Sequence, residues 1–200
     1  MTERPILFSA PMVRAIFSGM KSQTRRVMKP RPEDGAIVTV GEIGTSRGAA
    51  YVRGPRSGGL TDRIPCPYGS PGDQLWVRET WGVYYDEYVS DCLHEPTWYR
   101  ADYTPEQEST MAMPERWRPS IHMPRARSRI TLEIVGVRVE RLQDISEADA
   151  IAEGVTPSIV GGYLDHLQYR AGYQTLWESI NGAGSWDANP WVWVIEFRRV

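Results

Sequence analysis

A short polar segment near the N-terminus carries residue types that acyl-transfer chemistry needs. Lys21 and Thr24 lie three residues apart, immediately after a predicted helix. A threonine hydroxyl attacks a carbonyl only when a base lies beside it, and a neutral lysine serves as that base in hydroxyl–lysine dyads. Burial and neighbouring cations such as Arg25 and Arg26 lower the pKa of a lysine from about 10.4. The same spacing is also typical of a solvated polar connection, so it does not identify a site by itself.

Lysine is scarce in this chain, which draws attention to Lys21. Of the 23 Lys and Arg residues, 21 are arginine, and the other lysine is Lys29. A GC-rich coding sequence is sufficient to explain the bias. Arginine cannot deprotonate in proteins, however, whereas lysine can. A lysine kept beside hydroxyls and arginines is therefore a candidate for chemistry that requires a neutral amine.

The composition predicts one soluble domain of 200 residues, long enough to bury a core without disulfides. Hydrophobic residues make up 41% and charged residues 24%. No apolar run approaches the roughly 20 residues of a membrane span, and the N-terminus lacks the apolar stretch of a signal peptide. The two cysteines, Cys66 and Cys92, are too few for a disulfide framework. We therefore expect a cytoplasmic protein with no membrane partner.

The charges are unevenly distributed along the chain, although the net charge is only −2. Residues 1–60 hold ten basic and four acidic side chains, and residues 116–141 hold seven basic and two acidic. Residues 61–115, in contrast, hold three basic and eleven acidic. If the fold brings the two basic blocks onto one face, they form a surface suited to nucleic acid. Charges that pair across segments are the alternative.

Hydrophobic periodicity predicts an α+β fold with several strands and few helices. Strands are predicted near residues 6–8, 36–40, 74–78, 130–142 and 191–197, with a bulge at Gly136 in the long strand. Helices are predicted after Ser9, after a capping box at Ser146 and Asp149, and up to Asn181. The Gly- and Pro-rich residues 41–72 predict a long loop. The aromatic and initially acidic residues 82–128 predict an insertion within a single domain, residues 1–200.

Five further side chains are candidates to contact a substrate: Trp76, Arg78, Glu79, Trp81 and His122. The two tryptophans can stack on a base, as aromatic residues do in single-strand recognition, or they can pack in a core. Arg78 and Glu79 follow a predicted strand and are placed to reach the mouth of a pocket. His122 lies in an aromatic and basic neighbourhood, where it is either a pocket residue or an exposed one.

The remaining histidines do not predict a metal site. Cys92 and His94 lie two residues apart, but a zinc site requires two further ligands. His166 is predicted on the surface of a helix. We therefore expect neither a metal nor a cofactor.

Three sequence elements, in the same order, resemble the ASCH domains of the PUA-like superfamily. The first is the pattern Gly-x-Lys-x-x-Thr-x-Arg after an N-terminal helix, formed here by Gly19, Lys21, Thr24 and Arg26. The second is a Pro-Gly-Asp turn that enters a strand at residues 71–77. The third is a helix that carries Glu153 and precedes a closing aromatic strand. The whole chain also resembles ASCH proteins of this length that phages and prophages encode.

The resemblance implies a small PUA-like/ASCH β-barrel with flanking helices and a long insertion. The small bacterial ASCH enzymes are amidohydrolases that remove the acyl group from N4-acetylcytidine, without a metal. The resemblance implies that Lys21 is the base, Thr24 the nucleophile and Glu153 the group that orients Lys21 or a water. Arg26 would contact the substrate or the oxyanion. The small enzymes are about half as long, so residues 41–70 and 82–128 have no counterpart in them.

Two other functions are compatible with the same resemblance. PUA-like barrels commonly bind RNA or DNA without catalysis, and the two basic blocks with the tryptophans suit that use. Some ASCH proteins resemble ribonucleases, for which His122 is an available acid or base. The expected partner is therefore a modified nucleoside or a nucleic acid, with amide hydrolysis as the favoured reaction.

Overall fold

The computed structural model describes residues 1–32, 37–40, 49–53, 62–83, 97–110, 113–114, 116–157 and 168–200. The strands are β1 (Glu3–Leu7), β2 (Gln23–Val27), β3 (Ile37–Val40), β4 (Ala49–Arg53), β5 (Asp62–Pro65), β6 (Gln74–Arg78), β7 (Trp81–Val83), β8 (Thr97–Tyr99), β9 (Thr131–Arg141) and β10 (Trp191–Arg199). The helices are α1 (Ala10–Phe17), α2 (Pro105–Thr110), α3 (Glu147–Ala152) and α4 (Gln168–Asn181). This mixture confirms the predicted α+β class. No helix in these ranges is long and apolar enough to cross a membrane.

The largest sheet has five strands in the order β1-β6-β9-β10-β2. β1 and β6 run parallel, whereas the other neighbours in this sheet are antiparallel. A second sheet contains β3, β4 and β5, and β7 pairs with β8. The last strand, β10, therefore lies inside the large sheet, beside the edge strand β2 that carries Thr24.

Strand β10 separates two hydrophobic cores because its side chains alternate between the faces of the sheet. Trp193 and Ile195 belong to the first core, to which α1 also contributes buried residues. Val192 and Val194 belong to the second core, which they share with α4. The neighbouring strand β2 consequently has α1 and α4 within reach, and both helices line a cleft beside it.

Two local predictions about the helices and strands are confirmed. The Ser146 side chain accepts a hydrogen bond from the backbone of Asp149, and the Asp149 carboxylate accepts one from the backbone of Ser146, so a capping box opens α3. The pairing of β9 with β10 shifts register next to the pair Gly136–Glu196. A Cβ on Gly136 would lie 2.6 Å from Oε2 of Glu196, so this glycine permits the close approach at the bulge.

The Gly- and Pro-rich residues 41–72 are not one long loop, which corrects the prediction from composition. β4 and β5 lie in this segment and pair with each other, and β4 also pairs with β3. Ala50 and Val52 of β4 are buried in the first core. Composition misses these strands because each has only four or five residues between glycines and prolines. Residues 41–48 and 54–61 lie outside the described part.

The predicted insertion, residues 82–128, contacts the rest of the domain through several short elements. β7 pairs with β8, and Trp81 forms an isolated antiparallel bridge with Arg118. Arg14 of α1 donates a hydrogen bond of 3.2 Å to the carbonyl of Ala101. These contacts attach the described part of the insertion to α1 and to the core. The tyrosines at positions 84, 85 and 88 lie outside the described residues.

Candidate active site

Lys21 lies in the short connection between α1 and β2, where it pairs with the residue that follows α3. Helix α1 ends at Phe17, and Gly19 adopts a φ of +75°, which turns the chain out of the helix. The backbone N–H of Lys21 donates to the carbonyl of Ala15 at 2.9 Å. Lys21 also forms an isolated antiparallel bridge with Glu153. The main chain thus brings the predicted base to the predicted carboxylate across 132 residues of sequence.

The amine of Lys21 is buried and is held by Glu153. Its Nζ donates hydrogen bonds of 2.8 Å to Oε2 of Glu153 and of 2.8 Å to the backbone carbonyl of the same residue. The Lys21 side chain is 0% exposed, and its Nζ lies 5.6 Å from the centre of the Phe8 ring. Two of the three predicted catalytic residues are therefore in direct contact.

Burial lowers the pKa of Lys21 from its usual range. The loss of hydration is the largest cause, the charge and hydrogen bond of Glu153 oppose it, and the charges of Arg25 and Arg26 reinforce it. A lysine shifted in this direction is a better base near neutral pH than an exposed one. Lys29, the other lysine of the chain, is exposed.

Arg25 binds the second carboxylate oxygen of Glu153. Its Nη1 donates to Oε1 of Glu153 at 3.1 Å, while its Nε and Nη2 donate to Oε1 of Glu140 at 2.9 and 2.5 Å. The guanidinium is 0% exposed and lies 5.8 Å from the centre of the Tyr173 ring. Glu153 is therefore held between the Lys21 amine and the Arg25 guanidinium, with one carboxylate oxygen on each, and its orientation is fixed.

A wider charged network surrounds Arg25, and it was not predicted from the sequence. Gln23 donates from Nε2 to the carbonyl and to Oδ1 of Asp149 at 2.8 and 3.0 Å. Arg138 donates to Glu140, Glu196 and Asp149. One feature of the sequence pointed to this network. β2 has more polar residues than the single solvent-exposed face of a strand would contain, because side chains alternate between the two faces. Spacing alone could not assign partners more than 100 residues away.

Asp149 connects the capping box of α3 to this network. Burial acts to raise the pKa of its carboxyl, but hydrogen bonds from Ser146 and Gln23 and the charges of Arg25 and Arg138 lower the pKa to about 2. The carboxylate is therefore ionised at neutral pH. The local signal that starts α3 thus also positions the helix whose end presents Glu153.

Thr24 is 2% exposed and lies on β2, opposite Ile195 of β10. It lines a cleft together with Arg26 and Glu153. No hydrogen bond joins the Thr24 hydroxyl to Lys21 among the described residues, since the Lys21 amine donates to Glu153 instead. The predicted nucleophile and carboxylate share one cleft, while the contact between nucleophile and base is not made in this state. Such contacts commonly form only in the substrate complex.

Arg26 lines the same cleft and bridges the two edge strands of the large sheet. Its Nη2 donates to the carbonyl of Leu7 at 2.6 Å, and its guanidinium carbon lies 5.4 Å from the centre of the Phe8 ring. The Nε of Arg26 is buried and has no hydrogen-bond partner within the described ranges. An uncompensated buried N–H is costly, so this donor is suited to a ligand oxygen.

Two cavities share one side chain of α4. The cleft beside Thr24 has a volume of about 60 Å³, and its outer wall is formed by aromatic and aliphatic residues of α4. A second cavity of about 400 Å³ lies between α1, the turn after Glu153 and α4, and its lining is mostly apolar. Leu176 lines both.

Trp76 and Arg78 lie together on β6 but do not join the residues around Lys21. The guanidinium carbons of Arg78 and Arg125 lie 5.3 and 6.0 Å from the centre of the Trp76 ring. Arg78 also donates hydrogen bonds to the carbonyls of Met123 and Ile121. The Trp76 ring is thus in contact with two arginines, and the Arg78 guanidinium already donates hydrogen bonds to backbone carbonyls.

Glu79 forms a buried ion pair and does not belong to the lining of the cleft beside Thr24. Its two carboxylate oxygens accept hydrogen bonds from Nε and Nη2 of Arg129 at 2.9 and 3.0 Å. Arg129 also binds both oxygens of Asp102 at 2.7 Å. Burial raises the pKa of Glu79, while the hydrogen bonds and charge of Arg129 oppose the rise. These contacts link β6, the insertion and β9, and they account for Glu79 without a ligand.

Trp81 is 3% exposed, so it offers no free face on which a base can stack. Arg118 and Arg127 lie over its ring, with guanidinium carbons 4.8 and 5.2 Å from the ring centre. Of the two uses considered for this tryptophan, the structure places it in the core. His122 is exposed on a 3₁₀ turn, at residues 120–122.

No group of three or more His, Cys, Asp or Glu residues within the described ranges is arranged to hold a metal ion. Cys92, His94 and His166 lie outside those ranges. The acidic residues nearest Lys21 are paired with arginines, so their oxygens are already engaged. No family model, curated protein or solved structure matches this chain.

Proposed function

We propose that this protein is a hydrolase that removes a short acyl group from a modified nucleobase or nucleoside, with N4-acetylcytidine as the first substrate to test. The observation that carries the proposal is the buried amine of Lys21, which Glu153 holds at 2.8 Å. Glu153 also lines the cleft that contains Thr24 and Arg26. These are the positions at which the sequence resembles the ASCH amidohydrolases.

In the proposed reaction, neutral Lys21 accepts the proton of the Thr24 hydroxyl while the Thr24 oxygen attacks the acyl carbon. The tetrahedral intermediate collapses by breaking the bond between carbon and nitrogen, and Lys21 returns the proton to the leaving amine. A water then attacks the acyl–threonine ester. Its proton passes through Lys21 to the Thr24 oxygen, and the carboxylic acid is released.

Lys21 and Glu153 have distinct tasks in this scheme. The Lys21 amine turns from the backbone carbonyl of Glu153 towards Thr24 when substrate binds, and it keeps its contact with Oε2. Arg25 holds Oε1 of Glu153 at 3.1 Å, so the carboxylate stays in place during this turn. The positive charge of Arg25 also favours the neutral form of the amine.

Arg26 is the proposed donor to the oxyanion. Its buried Nε–H has no partner within the described part of the chain, and Arg26 lines the cleft with Thr24. A donor directed at the developing negative charge typically contributes about 10²–10³-fold in rate. The hydrogen bond of Arg26 to Leu7 keeps the guanidinium fixed, so little reorganisation is needed when the charge develops.

The size of the cleft indicates which part of the substrate enters it. An apolar cavity of about 150 Å³ is large enough to bind benzene. The cleft beside Thr24, at about 60 Å³, is too small for a six-membered ring but accepts a few non-hydrogen atoms. The acyl group therefore occupies the cleft, and the pyrimidine ring remains at its mouth.

The proposal includes a small PUA-like barrel as the scaffold. The strand order leaves β1 and β2 at the two edges of the large sheet. The hydrogen bond from Arg26 of β2 to Leu7 of β1, together with the shared contact to Phe8, supports a sheet that curves until its edges approach each other.

The experiment is incubation of the full chain with N4-acetylcytidine, with release of cytidine and acetate followed by chromatography. We expect turnover by the wild type and its loss in Lys21→Arg, which keeps the positive charge but removes the titratable amine. Lys29→Arg is the matched control, because it makes the same change at the exposed lysine and should leave turnover intact. Circular dichroism of each variant reports whether the fold is retained.

The outcomes separate the parts of the proposal. Turnover that persists in a folded Lys21→Arg variant would exclude Lys21 as the base. Turnover that persists in Thr24→Ala would exclude the covalent route. If the folded wild type hydrolyses neither N4-acetylcytidine nor the corresponding N-acylated free base, the proposed function is wrong.

A second candidate function is binding of single-stranded nucleic acid without catalysis. The observation that favours it is the pair Arg116 and Arg118, which are exposed and form no ion pair with any described residue. This function predicts a salt-dependent affinity for an oligonucleotide that survives Thr24→Ala and weakens in Arg116→Gln. Fluorescence anisotropy at two salt concentrations measures both effects.

A further inference from the structure

The two cavities beside α4 have one lining residue in common. The smaller cleft contains Thr24 and the carboxylate of Glu153. The larger cavity is formed by α1, the turn that begins at Gly154, and α4. Leu176 is the residue that contributes to both linings. Glu153 lines the smaller cleft and the next residue, Gly154, lines the larger cavity, so the two linings are adjacent in the chain at this turn.

We infer that Leu176 sets the length of the acyl group that this site accepts, and that the natural substrates carry short acyl groups. The inference rests on the proposed function. Leu176 lines the cleft of about 60 Å³ and also lines the neighbouring space of about 400 Å³. The wild type therefore accepts acetyl and propanoyl groups and excludes hexanoyl and benzoyl groups.

The chemistry of the walls supports an acyl group as the occupant of the cleft. Thr24, Arg26 and Glu153 supply polar groups to the lining, which the reacting carbonyl and its oxyanion need. Tyr173, Leu176 and Trp177 of α4 supply aromatic and aliphatic groups, which suit the hydrocarbon tail. A substrate placed with its carbonyl at Thr24 directs its tail towards α4.

The larger cavity provides room for a longer tail once the Leu176 side chain is shortened. Its lining is mainly backbone and apolar side chains, including Pro11, Ala15 and Val155. An apolar pocket of this kind gains binding free energy from each added methylene group unless a side chain blocks its path. Leu176 is half-buried, so its side chain can be shortened without removing a central core residue.

The test uses a series of N4-acylcytidines from acetyl to hexanoyl, with Leu176→Ala in the full chain. We expect the ratio of kcat/KM for hexanoyl to that for acetyl to rise at least tenfold over wild type, since each methylene group accommodated in an apolar pocket contributes about tenfold or more. Leu176→Val should give a smaller rise, and it provides a milder variant if the alanine variant does not fold. Met20→Ala is the control, because Met20 lines only the larger cavity and should leave the ratio unchanged.

The possible outcomes decide between this inference and the function on which it rests. A wild type that hydrolyses hexanoyl as fast as acetyl overturns the role of Leu176 while the hydrolase stands. The role of Leu176 is also overturned if acetyl is hydrolysed but folded Leu176→Ala and Leu176→Val keep the wild-type ratio of kcat/KM for hexanoyl to acetyl. It is overturned as well if Met20→Ala raises that ratio as much as Leu176→Ala does. If neither the wild type nor any folded variant hydrolyses any member of the series, the hydrolase itself is excluded, and this inference is excluded with it.

Discussion

Gly154 packs so closely against Lys21 that no side chain fits between them. A Cβ on Gly154 would lie 2.9 Å from the Cβ of Lys21 and 2.8 Å from the Cβ of Ala15. Gly154 also adopts a φ of +75°, a conformation that other residues rarely take. This contact sets how near the turn after α3 approaches the segment that carries the proposed base.

Gly154→Ala should therefore destabilise the protein and reduce hydrolysis. Gly182→Ala is the matched control, because Gly182 has a φ of +95° and nothing within 4 Å of an added Cβ. Both variants place an alanine at a positive φ and share that conformational cost. The steric clash at Gly154 adds about 1–3 kcal/mol of destabilisation. Urea unfolding measures the difference, and equal free energies of unfolding for the two variants would contradict the close contact as the cause.

The lowered pKa of Lys21 predicts how stability depends on pH. The unfolded chain binds a proton at Lys21 up to about pH 10.4, whereas the folded chain releases it at a lower pH. Stability should consequently rise with pH between these two pKa values. Lys21→Met removes this contribution, so the difference in unfolding free energy between wild type and variant should change with pH only in that window. A difference that stays constant up to pH 10 would show that the pKa of Lys21 is not lowered.

Arg129 should be essential for stability because Glu79 is buried. The carboxylate of Glu79 is 2% exposed and takes both of its hydrogen bonds from Arg129. Arg129→Met leaves that charge without its partner and should cost about 3–5 kcal/mol. Adding Glu79→Gln should recover part of the loss, and a double-mutant cycle in urea measures the coupling. Strictly additive effects would indicate that the pair is not coupled in solution.

Arg26→Lys should lower kcat more than it raises KM. Lysine retains the charge but lacks the Nε–H that we assign to the oxyanion, so kcat should fall by about 10²–10³-fold. Arg198→Lys provides a control at an exposed arginine that pairs with Glu133. A change confined to KM would reassign Arg26 to binding of the ground state.

Much of the scaffold follows from local signals in the sequence. The capping box at Ser146 and the end of α4 at Asn181 are predictable because each depends on residues within one or two turns. The long strand β9 and the closing strand β10 are predictable because their alternation continues over many residues. β4 and β5 are not, because their stability comes from pairing with neighbours rather than from their own composition.

The candidate site is predictable only in part, for a related reason. Lys21 and Thr24 are neighbours in sequence, so their spacing is informative. Arg25 contacts acidic residues that lie 115 and 128 positions later, and only the fold brings these charges together. The arginines that lie over the Trp81 ring, Arg118 and Arg127, also lie outside its local sequence. A buried tryptophan therefore could not be distinguished from a base-stacking one by its sequence neighbours.

The position of β10 between β9 and the edge strand β2 has a consequence for how the protein is made. The strand that carries Thr24 pairs with residues 191–199, which the ribosome adds long after residues 23–27. At a translation rate of roughly 5–20 residues per second, β10 is completed on the order of ten seconds or more after β2. The segment that carries Thr24 is thus synthesised early, and its pairing with β10 forms only after residues 191–199 have been made.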